Sequence, residues 1–355
     1  MTINGNSSFE DFLNRQDEQA WAQALEELLP SVHEVDRNAT RIWFAFFPLA
    51  LQRAFERAAD PEALAKKLLM QGRFQLKEQI DSSHKFLYGH RYWPEVKKAL
   101  VERAESGAAE AEEAAQKLSS EILKVSEKVA GELKVEHALV AGIMAVAFMT
   151  LRQVGLAAFK ATPGSVLIDR RHARRSPQQI LSERARDDSQ GIFGFLRTTD
   201  KRWTVRFDEN DETARFRMVH MQEIASAAPT HPLKDWSAID PRCTVGEGPI
   251  PVQCRSASCG TCWVGVLGGA EKLSEVAPRE RRVMKQLGYI DTDDPRPLIR
   301  LSCQAQGGGA VSIVIPPWNG VFGKYLSKLR NGEESGADAS VETADAGETG
   351  LGAKA

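Results

Sequence analysis

The sequence predicts an α+β protein of two domains, a helical bundle in the N-terminal part and a domain built on strands in the C-terminal part. Helical patterning runs almost unbroken from Ser8 to about Lys160. Two alternating apolar runs joined by a polar turn then occupy 202–219, and a cysteine-rich loop follows at 254–262. A length of 355 residues suits two domains or three, each able to bury its own core.

The composition shifts along the chain set the expected domain boundaries. They are 1–163 for the helical bundle, 164–199 for a basic linker or docking segment, 200–316 for the strand domain, 317–330 for an amphipathic helix and 331–355 for an acidic tail. The tail is rich in Ala, Gly, Glu and Asp with few large apolar residues, a composition that predicts disorder.

Helix-capping signals support the bundle. Ser8 is followed by acidic residues, as in a capping box, and Asp60 with Pro61 places a cap and a first-turn proline ahead of a leucine-rich run. The segment 111–136 carries apolar residues three and four positions apart, flanked by Glu and Lys. These helices are expected to pack rather than to catalyse.

The stretch 138–151 has no charged residue, which raises the question of a membrane span. Its fourteen residues cover about 21 Å at 1.5 Å per residue, short of the ~30 Å hydrocarbon core. Arg152 and Lys160 close it off. We therefore expect a buried central helix and no transmembrane span.

Three histidines in the helical part could ligate haem or a metal within a bundle. They are His84, His90 and His137, the first two within an aromatic-rich stretch. A spacing of six residues does not place His84 and His90 on one helical face, so packing aromatics are the favoured interpretation.

The cysteine spacing is the strongest chemical signal in the chain. Cys254, Cys259 and Cys262 form a C-x4-C-x2-C motif, and Cys303 stands alone after a strand-like run. This is the spacing of plant-type iron–sulfur ligation, in which four thiolates hold two irons. Small residues stand between the first three cysteines, so the loop can wrap a cluster and aim backbone N–H groups at its sulfurs: Ser256, Ala257, Ser258, Gly260 and Thr261. We predict a [2Fe-2S] cluster on these four cysteines.

Other uses of the cysteines fit the sequence less well. A structural zinc site normally presents two C-x2-C-like pairs, and here only Cys259 and Cys262 form one. Five cysteines and the lack of an apolar signal segment argue against disulfides and favour a reducing, cytoplasmic setting. The fifth, Cys243, is expected to be a plain reduced thiol in a loop, since a second cluster needs four more ligands.

Residues from about 201 to 316 resemble a [2Fe-2S] ferredoxin of the plant and adrenodoxin superfamily. The resemblance rests on C-R-S-A-S-C-G-T-C, on the strand-like W-V-G-V-L after it, on the helical run at 273–288 and on R-L-S-C-Q at 300–304. It implies a β-grasp fold and electron transfer. The chain departs from the pattern with Ala257 where glycine is common, with Trp263 directly after the third ligand, and with a long insertion at 229–249.

Two further segments are candidate docking surfaces. The linker carries four arginines and a histidine within six residues: Arg170, Arg171, His172, Arg174 and Arg175. They form either a solvated connector or a docking site for an acidic partner. The amphipathic face at 317–330 is expected to cover the bundle, with a partner or a membrane surface as alternatives.

The leading functional hypothesis is a one-electron carrier, or a subunit docked on a larger oxidoreductase complex, rather than a catalyst in its own right. Two alternatives remain: a redox enzyme with a haem or organic cofactor in the helical domain, and an iron–sulfur redox sensor. A net charge of −2 gives no sign of nucleic-acid binding, and there is no glycine-rich dinucleotide motif or P-loop.

Overall fold

The computed structural model describes residues 8–106, 117–187, 201–289 and 293–330. The part before residue 187 is helical. Its helices are α1 (Ser8–Arg15), α2 (Glu18–Leu28), α3 (Glu34–Phe46), α4 (Leu49–Arg57), α5 (Pro61–Lys67), α6 (Trp93–Glu105), α7 (Leu118–Leu133), α8 (Ala138–Val154), α9 (Leu156–Ala161), α10 (Arg170–Ala173) and α11 (Pro177–Glu183). A short strand β1 (Gln71–Gly72) lies among them.

The C-terminal part is built on a mixed five-stranded sheet. Its elements are β2 (Arg202–Arg206), β3 (Arg215–Val219), β4 (Gln222–Glu223), α12 (Ile224–Ala227), β5 (Trp263–Gly268), α13 (Pro278–Leu287), β6 (Ile299–Leu301), β7 (Gln306–Gly307), β8 (Val311–Val314), β9 (Trp318–Asn319) and α14 (Gly323–Arg330).

The strand order in the main sheet is β3-β2-β8-β5-β6. Strands β2 and β3 form the antiparallel hairpin that the alternating pattern predicts, with Trp203 opposite Met218. Strand β8 lies parallel to β2 and antiparallel to β5, which pairs with β6. Apolar side chains from every strand are buried, so the sheet has the inner face that alternation indicates.

Local capping explains several helix starts. The Asp60 side chain accepts hydrogen bonds from the N–H groups of Glu62 and Ala63, and Pro61 opens α5, as the sequence predicts. Ser176 and Gln179 form a complete capping box at the start of α11.

Helix α8 is the centre of the helical part. All its residues from Leu139 to Leu151 are buried, which confirms the expectation of a buried helix. Within the four described ranges, no helix is both long and apolar enough to cross a membrane.

The helical part and the sheet share one continuous hydrophobic core. Helix α3 lies against β5 so closely that a Cβ atom on Gly265 would be 2.5 Å from a methyl carbon of Ile42. The ring of Phe46 contacts that of Trp263 edge-on, and the Trp318 indole N–H donates to the Phe46 carbonyl at 2.7 Å. The C-terminal part is thus packed directly on the helices.

The amphipathic helix predicted over 317–330 begins later than expected. Trp318 and Asn319 instead form β9, which pairs antiparallel with β1, and the helix starts at Gly323. Strand pairing prevails because Trp318 is fully buried between the two parts of the protein. Two predicted segments lie outside the described residues. They are residues 188–200, at the end of the linker and the start of the strand domain, and the acidic tail at 331–355.

Candidate metal centre

The loop that carries three of the four predicted ligands is tightly curled. Arg255, Ala257 and Gly260 all have positive φ, at 52°, 57° and 68°. Ala257 therefore takes the left-handed conformation despite its methyl group, at a cost of about 1–2 kcal/mol. At Gly260 a Cβ atom would lie 2.3 Å from Leu287, so only glycine fits there. The loop therefore keeps its curl with alanine at position 257, where the ferredoxin pattern commonly has glycine.

The curl directs backbone donors at one sulfur. Cys254 Sγ accepts hydrogen bonds from the N–H groups of Ser256, Ser258 and Cys259 at 3.5, 3.3 and 3.3 Å. Successive N–H groups converging in this way form a nest for negative charge. The same arrangement stabilises a thiolate that ligates a metal.

The four cysteines are grouped as two pairs. Cys259 lies within hydrogen-bond reach of Cys254, and the Cys262 thiol is hydrogen-bonded to Cys303. The Ala257 N–H also points at Cys303. The first pair is partly exposed, and the second is buried.

Hydrogen bonding divides the protons among these thiols. Burial raises the pKa of Cys254, but hydrogen bonds from Ser258 and its neighbours outweigh burial and lower that pKa to about 5. The hydrogen bond from Cys262 lowers the pKa of Cys303 to about 7, against the effect of burial. The same bond, together with burial, raises the pKa of Cys262 well above its ordinary value. Each pair therefore contains one sulfur disposed to be a thiolate.

Cys303 is brought to the loop by β6 and a buried ion pair. Arg300 Nε and Nη2 bond the Glu280 carboxylate of α13 at 2.9 and 3.0 Å, and both side chains are fully buried. Ser302 donates from both its N–H and its hydroxyl to the Cys262 carbonyl, at 3.0 and 2.7 Å. These contacts fix Cys303 beside Cys262 although forty residues separate them.

The donor set can be compared with what a single ion and a two-iron cluster each require. Across the described ranges, no group of three or more His, Cys, Asp or Glu side chains is placed to hold one metal ion. A mononuclear zinc site needs three or four ligands around one point. In a [2Fe-2S] centre the four cysteines are divided between two irons, so ligands arrive in twos. The donor set and its pairing fit that group.

Tyr289 is a neighbour of the loop that no sequence motif pointed to. Its hydroxyl donates to the Gly260 carbonyl at 3.0 Å, and its ring stacks on Trp263 at 4.1 Å. The Trp263 indole in turn donates to the Trp318 carbonyl. Burial raises the pKa of Tyr289 above its ordinary value. The one hint in the sequence was Trp263, which departs from the ferredoxin pattern and supplies the stacking surface.

The remaining candidate residues lie apart from this loop. Cys243 is buried, its thiol donates to the Pro249 carbonyl, and burial raises its pKa to about 12. His84 and His90 do meet, Nδ1 to Nδ1 at 2.9 Å, because the chain between them forms turns and not one straight helix. His137 contacts the Ser126 hydroxyl at 2.6 Å.

The arginines of the linker are partly neutralised within the protein. Arg175 pairs with Glu183 at 3.1 Å and with Glu212 at 3.2 Å, and Arg171 also pairs with Glu212. Arg170 and Arg174 are exposed. The basic surface is therefore smaller than the sequence indicates.

No protein-family model matches this chain, and no solved structure matches it. The resemblance to ferredoxins therefore stays a prediction from the sequence motifs.

Proposed function

We propose that the protein transfers single electrons through a [2Fe-2S] cluster held by Cys254, Cys259, Cys262 and Cys303 in a β-grasp, ferredoxin-like domain. One observation carries the proposal: cysteines from two distant stretches form two adjacent pairs, with backbone N–H groups directed at their sulfurs. All four cysteines are free thiols in the structure.

When bound, such a cluster supplies a site that accepts and releases one electron, with a potential near roughly −400 mV for all-cysteine plant-type ligation. The residues of this chain hold and shield it. The N–H groups of Ser256 and Ser258 stabilise negative charge on Cys254. Tyr289 and Trp263 cover the inner side of the loop and keep water from it.

The exposed side of the loop is the natural route to a protein partner. Ser256 and Ser258 are exposed, and Cys254 is partly exposed, whereas Cys262 and Cys303 are buried. A redox partner or a larger oxidoreductase complex can therefore approach the Cys254 side closely. The helical part, which shares its core with the sheet, serves in this proposal as the scaffold that orients the loop toward that partner.

Serine substitutions test the ligand set. Cys254→Ser, Cys259→Ser, Cys262→Ser and Cys303→Ser should each abolish or strongly weaken the electron paramagnetic resonance signal of the dithionite-reduced protein, because a hydroxyl replaces a thiolate ligand. Cys243→Ser is the matched control and should keep full signal and two irons per chain. An unaltered signal in any of the first four variants, or its loss in the control, would refute the assignment.

A further inference from the structure

A large cavity lies between helices of the N-terminal part and the segments 282–298 and 322–327 of the C-terminal part. Its volume is about 1030 Å³, ample for a ligand of coenzyme size. Trp21, Phe44 and Phe47 line the helical wall, and Tyr289 and Phe322 line the opposite wall. Cavities at the junction of two parts of a protein, walled by aromatic residues, are typical small-molecule sites.

Charged side chains line the same cavity. Arg41 pairs with Glu26 at 3.1 Å, and a carboxylate oxygen of Asp294 accepts the Arg296 N–H at 2.8 Å. The other charged residues on the lining are Glu18, Arg282, Lys285 and Lys324.

Arg282 and Lys324 stand out among these. Both are exposed, and neither has a hydrogen-bond or ion-pair partner in the ranges that the structure describes. They come from α13 and α14, which pack against each other. Cations beside aromatic walls are the groups that would bind an anionic group attached to a flat ring.

The cavity wall also belongs to the candidate metal centre. Tyr289 lines the cavity, while its hydroxyl donates to Gly260 inside the cysteine loop and its ring stacks on Trp263. A ligand against this wall is separated from the loop by one side chain.

We propose that this cavity binds a planar aromatic molecule bearing an anionic group, with the ring between the two aromatic walls and the anion at Arg282 and Lys324. The binding itself does not depend on a cluster. Its use for electron exchange rests on the proposed function: the reduced cluster loses one electron, the bound ring gains it, and no bond is made or broken.

The test compares ligand pairs that share one ring system and differ by one anionic group. The probes are flavin mononucleotide against riboflavin, and 1,4-naphthoquinone-2-sulfonate against 1,4-naphthoquinone, each titrated into the full-length protein by calorimetry. We expect saturable binding of one pair or both, with the anionic member about tenfold tighter. The double variant Arg282→Gln/Lys324→Gln should remove that preference. The matched control, Arg279→Gln/Lys328→Gln, removes exposed cations from the same helices outside the cavity and should keep it.

Absence of saturable binding for both pairs would overturn the proposal, as would an anionic preference that survives in the double variant. Each sample is also assayed for the reduced-cluster resonance. A protein with the resonance but without binding refutes the cavity site alone. Binding without the resonance refutes the proposed function and leaves the cavity site standing.

Discussion

Replacing Trp318 by phenylalanine removes one hydrogen bond from the junction between the helices and the sheet. The indole N–H donates to the carbonyl of Phe46, the last residue of α3. A carbonyl at this position has no partner within its own helix. Because Trp318 is almost completely buried, water cannot replace the lost donor.

The expected cost follows from that geometry. A buried carbonyl left without a donor costs about 1–3 kcal/mol. Loss of the larger ring adds about 1 kcal/mol of packing, by comparison with other core truncations. We therefore expect Trp318→Phe to lower the free energy of unfolding by about 2–4 kcal/mol.

The matched control is Trp21→Phe. Trp21 is equally buried, but its indole N–H has no hydrogen-bond partner in the described part of the chain. Removing that N–H should cost only the packing term. Urea denaturation followed by far-ultraviolet circular dichroism gives both free energies. If the two variants agreed within about 0.5 kcal/mol, the bond to Phe46 would contribute nothing measurable, and the reasoning would fail.

Two further outcomes are expected. Burial lowers the pKa of His90 to about 4 and that of His84 well below its ordinary value, so the unfolded chain binds more protons than the folded one between these values and about 6.5. Stability should fall as pH drops through that window, by about 1.4 kcal/mol per pH unit for each histidine. Burial raises the pKa of Asp36 to about 6, and protonation of this carboxyl in the folded protein partly opposes the loss of stability. The double variant His84→Gln/His90→Gln should therefore flatten or reverse the pH dependence of the free energy of unfolding. Denaturation at pH 7 and pH 5 measures that dependence. Gly260→Ala should destabilise the protein by about 2–4 kcal/mol and reduce bound iron, since it adds a clash to backbone strain. The matched control is Gly246→Ala, because Gly246 also has positive φ but has open space around it. If this variant lost as much stability as Gly260→Ala, the clash at Gly260 would be unimportant.

The features that were predictable from sequence are those that depend on patterns of neighbouring residues. The hairpin of β2 and β3 follows from alternation, and the burial of α8 follows from its lack of charge. The cysteine motif locates the loop because ligand spacing is a local constraint. The residues adjacent to the loop in space were not predictable, since Tyr289 and Trp318 reach it by contacts between distant segments.

The same limit applies within the helical part. The rule that residues six apart diverge on a helix predicts separation of His84 and His90, but the chain between them turns back on itself. The late start of α14 has a similar cause. Strand β9 pairs with β1, which is too short for a sequence pattern to reveal.

The hydrogen bond between Trp318 and Phe46 joins residues 272 positions apart, which has a consequence during synthesis. At about 5–20 residues per second, a ribosome needs roughly 15 to 55 s to make the second partner after the first. Through that interval the face of α3 that later covers β5 has no sheet to pack against. The helical part therefore emerges first with an aromatic surface uncovered, and completion of its core must wait for the synthesis of β9.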